Sequence, residues 1–187
     1  MNFRFRHKTT LLLAAFFVFI SLYCGGQEKK DFRLSVGSGF NTINDRLYYS
    51  PFIEGEYFLS HNWSLNYSLG YGRSDRGDVA FHFPLGWLAI PFACDPEAII
   101  VCAMIPEGVS YHAYPNEKME VAPFINLLQA QCVLSDEEML NVLAGAGVKL
   151  YYKPIDRFSI IMQYSLSVPY NRPDLYFNAG ISMGVLF

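Results

Sequence analysis

Counting back from Phe187, every second residue of the chain's last stretch is apolar: Val185, Met183, Ile181, Ala179 and Phe177, set against Gly184, Ser182, Gly180 and Asn178. A period of two is that of a β-strand, whose successive side chains point to opposite faces. The pattern recurs. Trp63, Leu65, Tyr67, Leu69 and Tyr71 alternate with Ser64, Asn66, Ser68, Gly70 and Gly72, and residues 140–152 and 158–170 repeat the motif with large apolar residues on one face. A core lined by Gly and Ser packs poorly, whereas the inside of a narrow barrel needs small and polar residues. The large face is therefore assigned to lipid and the small face to a lumen.

The other end of the chain agrees with a membrane destination. Residues 1–8 carry Arg4, Arg6 and Lys8, residues 11–23 are almost unbroken apolar, and Cys24-Gly25-Gly26 precedes the polar Gln27-Glu28-Lys29-Lys30. A charged start, an apolar run shorter than the ~20 residues a bilayer span requires, and a small-residue end make up a secretory signal peptide. The expected division is a signal peptide over 1–26 and a transmembrane β-barrel over 27–187. A rival reading makes Cys24 a lipidated cysteine, against which Tyr23 stands where such a site wants a small residue. The chain holds 14 Lys and Arg against 17 Asp and Glu. With Arg4, Arg6 and Lys8 removed, the remainder carries a net charge of about −6, a balance that argues against nucleic-acid binding or a polybasic membrane-surface role.

Three short polar connections sit between large strand ends: Ser60-His61-Asn62, Pro115-Asn116-Glu117-Lys118 and Lys153-Pro154-Ile155-Asp156-Arg157. Pro, Asn and Asp are turn formers, and such tight hairpins suit the periplasmic side of a barrel. With a first strand near 31–40, a second near 47–59 and a last over 174–187, the turns pair strands two and three, four and five, six and seven. The expected fold is all-β: an antiparallel up-and-down transmembrane β-barrel of eight strands, with outer loops at 41–46, 74–107, 132–138 and 171–174.

Residues 79–105 resist this scheme, because Phe81, Phe83, Leu85, Trp87 and Ala89 read as one more alternating strand. A ninth strand breaks the even count, so the segment is read as a long apolar outer loop. Asp95-Pro96-Glu97 ahead of Ala98-Ile99-Ile100-Val101-Cys102 has an N-cap Asp, Pro at the first helical position and an acid in the first turn, which predicts a short helix over 95–104. The alternative is a ten-stranded barrel in which residues 79–92 and 98–105 are both strands.

Cys94, Cys102 and Cys132 remain after signal cleavage. All three fall at the outer end, where a disulfide from Cys132 to either of the others would tie the long loop to its neighbour; equally, they can be small buried apolar residues. No His lies at ligand spacing from them, so no metal is expected. Ser110 and His112 share a strand face and raise a Ser/His nucleophile, a weak motif without a third group and a substrate groove. The inward parity also collects Arg33, Glu54, Glu56, Glu120 and Lys149. Arg33 with Glu56, and Glu120 with Lys149, lie at equal depth on adjacent strands and are expected to pair across those strands inside the lumen, hydration of each charge being the bland alternative.

The alternating strand that ends on Phe187 is similar to the C-terminal signal by which the barrel-assembly machinery recognises outer-membrane proteins, and the segment after the signal peptide resembles the small OmpA/OmpX-type outer-membrane barrels. The resemblance implies a monomeric, non-enzymatic protein of the bacterial outer membrane. Its partners would be membrane lipid and the assembly machinery, it would hold no cofactor, and its outer loops would serve surface interaction or envelope integrity. A small transport barrel is the alternative that ten strands would favour, and a lipid-modifying enzyme is the third.

Overall fold

The computed structural model describes residues 31–93, 95–134 and 139–187. Expectations for the signal peptide, Cys24 and Cys94 lie outside these residues. Ten strands form one antiparallel sheet: β1 (Phe32–Ile43), β2 (Arg46–Phe58), β3 (Trp63–Ser74), β4 (Val79–Pro84), β5 (Gly108–Tyr111), β6 (Ala113–Asn116), β7 (Met119–Leu134), β8 (Met139–Ile155), β9 (Phe158–Pro169) and β10 (Tyr176–Leu186). Pairing of β1 with β2 on one side and β10 on the other, together with the β2–β3 pairing, closes the sheet into a ring. The ring has eight wall positions, because β4, β5 and β6 succeed one another within the fourth, between β3 and β7. Closure removes the unpaired edges that an open sheet would expose. Among the described residues no helix is long and apolar enough to cross a membrane.

The expected eight strands and the helix are both present: α1 (Pro96–Ala103) starts at Asp95, whose carboxylate accepts a 2.7 Å hydrogen bond from the Ala98 amide. What differs is where the helical segment departs. Residues 79–84, expected within the outer loop, form β4 in the wall, and the chain then leaves that wall. It runs through a 3₁₀ helix (Leu85–Phe92) and α1, and returns as β5 directly below β4. On β3, Gly70 faces His82 and Asn66 faces Gly108, so residues 85–106 are an insertion spliced into the middle of strand four. β7 accommodates the splice with a bulge: the Leu127 and Leu128 amides both donate to the Glu107 carbonyl, at 2.8 and 3.0 Å, while the Glu107 amide donates to the Asn66 carbonyl. Periodicity could not distinguish this arrangement from a loop, because β4 is too short to set its own register.

The connections at the outer end are brief. β1 and β2 are joined by Asn44 and Asp45, both with positive φ, as a two-residue hairpin requires; β3 and β4 are joined by residues 75–78. Along the long regular strands burial alternates as expected: on β3, Ser64 and Asn66 face inward and are buried, while Trp63 and Leu69 face outward and are exposed. The outward face carries Leu34, Val36, Phe40, Ile53, Ile125, Met162, Tyr164, Leu166, Ile181 and Met183, all exposed, an apolar belt that water would not tolerate at this size.

Candidate functional site in the barrel lumen

An eight-position barrel is just wide enough for its side chains to meet across it. Small residues make the room: a Cβ on Gly70 would fall within 1.8 Å of the His82 imidazole that occupies its place. Toward the turn end, four strands aim charges at one point. Arg33 from β1 donates from Nη1 to Glu56 Oε2 at 2.9 Å, and it forms a two-pronged pair with Glu120, Nη1 to Oε1 and Nη2 to Oε2, both at 2.9 Å. The guanidinium also lies 4.3 Å from the Tyr151 ring centroid and 5.1 Å from that of Phe58. Lys149 reaches Glu56 at 3.0 Å and Glu54 at 3.3 Å. Tyr151 donates its hydroxyl to Glu56 Oε1 at 2.5 Å, and Lys153 meets Glu120 Oε2 at 2.5 Å. Every carboxylate here has a cationic partner within 3.3 Å, which is the condition under which buried charge is tolerated.

The expected partners are redistributed. Arg33 does meet Glu56, its cross-strand neighbour. Glu120 does not meet Lys149: β7 and β8 set Glu120 opposite Tyr151 and Lys149 opposite Ala122. Lys149 instead crosses the lumen to Glu56, and Glu120 crosses it to Arg33. In a ring of eight, β1 stands diametrically opposite β7, and β2 opposite β8. Adjacent-strand reasoning misses both contacts, because it treats the barrel as a flat sheet.

A second chain of hydrogen bonds joins this cluster. Ser64 Oγ lies 2.8 Å from His112 Nε2, and His112 Nδ1 lies 2.6 Å from Glu120 Oε1. Ser64, not Ser110, is the serine that meets the histidine; Ser110 donates instead to Asn66 Oδ1 at 2.9 Å. The order serine, histidine, carboxylate is that of a nucleophile with its base and orienting acid. All three residues are 0 % exposed, and none lines the barrel's cavity.

That cavity, of about 60 Å³, lies above the ion cluster and is lined by Glu54, Ser68, Glu107, Gln131, Lys149 and Gln163 among others. It has room for a few waters, which can serve the buried amide oxygens of Gln131 and Gln163. Glu107 enters it from the splice and accepts from Ser68 Oγ, at 2.9 Å to one carboxylate oxygen and 2.8 Å to the other. Reading residues 74–107 as an outer loop hid this acid; its position immediately before a short alternating segment was the available signal. Above the cavity, Ile43, Tyr48, Ala80, Val133, Leu143 and Tyr176 form an apolar cluster at the outer end. Cys102 and Cys132 are free thiols.

No protein-family profile matches the chain, and no curated protein matches it in sequence. Solved structures do. The N-terminal β-barrel domain of Pseudomonas aeruginosa OprF aligns with a TM-score of 0.57 at 15% identity, over 86% of this chain and 100% of that one. Neisserial surface protein A aligns with a TM-score of 0.52 at 8% identity, over 83% and 95%. Ail, the attachment invasion locus protein of Yersinia pestis, aligns with a TM-score of 0.51 at 11% identity, over 86% and 100%. At these identities the likeness is one of fold. The chain has the fold of the small outer-membrane β-barrels, of OmpA/OmpX type, and that fold with its apolar belt places it in a bacterial outer membrane.

Proposed function

We propose that this protein is a non-conducting, non-enzymatic outer-membrane barrel with a structural or surface-interaction role in the cell envelope. The observation that carries this reading is the pair of charge contacts thrown across the full lumen, Arg33 to Glu120 and Lys149 to Glu56. They fill the turn end of the barrel, and the apolar cluster around Tyr48 and Tyr176 occupies the other end. A transport path would have to break both. The brief outer connections favour the structural role over one carried by long loops. Planar-bilayer recording of the refolded protein tests it: no stepwise conductance is expected, and stable single-channel openings in the unmodified protein would overturn the reading.

A second reading rests on the Ser64–His112–Glu120 chain, which has the hydrogen-bond order of an acyl-transfer relay. Complete burial of the serine speaks for the structural role, because a nucleophile must be reached by its substrate.

A further inference from the structure

The segment spliced into strand four, residues 85–106, contains two charged residues, Asp95 and Glu97, both at the junction between its two helices. The rest is apolar or small. The 3₁₀ helix packs on β4 and β7, and beneath it the outward-facing Ala130 is fully buried. On the other side of the splice, Val109, Tyr111 and Ile125 are exposed. The insertion therefore lies on the outer surface of the wall, and it extends from the splice toward the outer end. Its own outer side presents Trp87, Phe92, Ile99, Ile100 and Met104, all exposed. Gly86 lets the two helices close on each other, since a Cβ there would fall 2.2 Å from the Cys102 carbonyl oxygen.

We infer that this hairpin is a membrane-immersed arm, and that the occupant of its exposed apolar face is the acyl chains of the leaflet around the barrel's outer half. Three observations converge. First, the face is continuous with the belt of the barrel wall, since the splice lies opposite Tyr67 and Ser68, near the middle of β3. Second, the dimensions match: an eight-residue 3₁₀ helix and an eight-residue α-helix span about 16 and 12 Å, close to half of an apolar band about 25 Å tall. An arm that starts at mid-band thus delivers Asp95 and Glu97 to the headgroup level. Third, backbone groups at the ends of α1 and in the bulge find partners, as a lipid setting demands. Asp95 caps the start of α1, Pro96 has no amide proton to leave bare, and the outward-facing hydroxyl of Tyr67 donates to the Met104 carbonyl at 2.9 Å. From the turn just after β9, the Tyr170 hydroxyl donates to the Leu127 carbonyl in the bulge at 3.1 Å. Two phenols on the lipid face thus serve carbonyls at the splice.

Trp63 and Trp87 are the chain's two tryptophans, so the Trp63→Phe variant reports on the arm alone. Refolded into vesicles of phosphatidylcholine brominated at mid-chain, it should lose about half of its emission relative to unbrominated vesicles, with little quenching by aqueous iodide. Strong iodide quenching without any effect of bromine would overturn the inference. Should Trp63→Phe fail to refold, nitroxide labelling of Ile100→Cys in a background without the native cysteines asks the same question. Accessibility to oxygen above that to a water-soluble nickel complex supports lipid contact. Accessibility to nickel refutes it, and so does an immobilised label reached by neither, the signature of a protein seated on the face. Glu97→Cys in the same background should react with an impermeant maleimide about ten-fold faster than Ile100→Cys, as a tip at the interface requires; equal rates would also refute it.

Discussion

Replacing Arg33 with Met tests whether the lumen cluster behaves as buried charge or as a set of hydrated groups. Methionine keeps much of the side chain's length over Tyr151 and Phe58 but removes three hydrogen bonds, one to Glu56 and two to Glu120. Both acids remain in place and almost wholly buried. Breaking a buried pair from one side costs about 3–5 kcal/mol, because the partner's charge is left behind. Glu56 keeps Lys149 and Tyr151, and Glu120 keeps Lys153 and His112, so the lower half of that range is expected. Adding Glu120→Gln removes one of the stranded charges and should recover part of the loss, with a coupling of about 1–3 kcal/mol between the two positions. Equilibrium urea unfolding in lipid vesicles, followed by tryptophan fluorescence on the wild type, both single variants and the double variant, supplies the cycle. A loss below about 1 kcal/mol for Arg33→Met, the range of exposed ion pairs, together with additivity in the double variant, would mean that water already solvates this end of the lumen.

Three further outcomes are expected. Leu69→Arg, on the exposed lipid face of β3, should cost about 2–4 kcal/mol in the same unfolding assay if it lies near the bilayer midplane, whereas a neutral result would put that face in water. Deleting Phe187 should lower the amount of protein assembled in the outer membrane while leaving the stability of refolded protein near wild type; normal assembly would remove the last residue from the recognition signal. Ser64 should stay unmodified by a fluorophosphonate probe in folded protein, and stoichiometric labelling lost in Ser64→Ala would revive the relay reading.

Much of the wall is legible in the sequence because a strand's two faces are written at alternate positions. Trp63 to Gly72 specifies its own parity, and the same holds for β9 and β10. Arg33, Glu54, Glu56, Glu120 and Lys149 are recognisable as lumen residues for that reason alone. The helix is legible too, since an Asp cap followed by Pro is local chemistry. Residues 79–84 are less so: six residues of alternation define a strand but not its place in the ring, and only the pairing of His82 with Gly70 and Gln131 shows that they belong to the wall.

What the sequence by itself determined is which side of the barrel the residues of the regular strands face, because away from the β7 bulge parity depends on nothing beyond the neighbouring residues. Which inward residues meet was decided by ring closure. Curving the sheet brings β1 against β7 and β2 against β8 across a lumen one pair of side chains wide, so Arg33 finds Glu120 at a separation of 87 residues and Lys149 finds Glu56 at 93. No local pattern encodes a diameter. The splice follows the same rule: that residues 85–106 leave the wall and return to it rests on the single residue Glu107, whose amide donates to the Asn66 carbonyl and whose carbonyl accepts from the Leu127 and Leu128 amides, and those partners come together only when β3 and β7 already flank the gap.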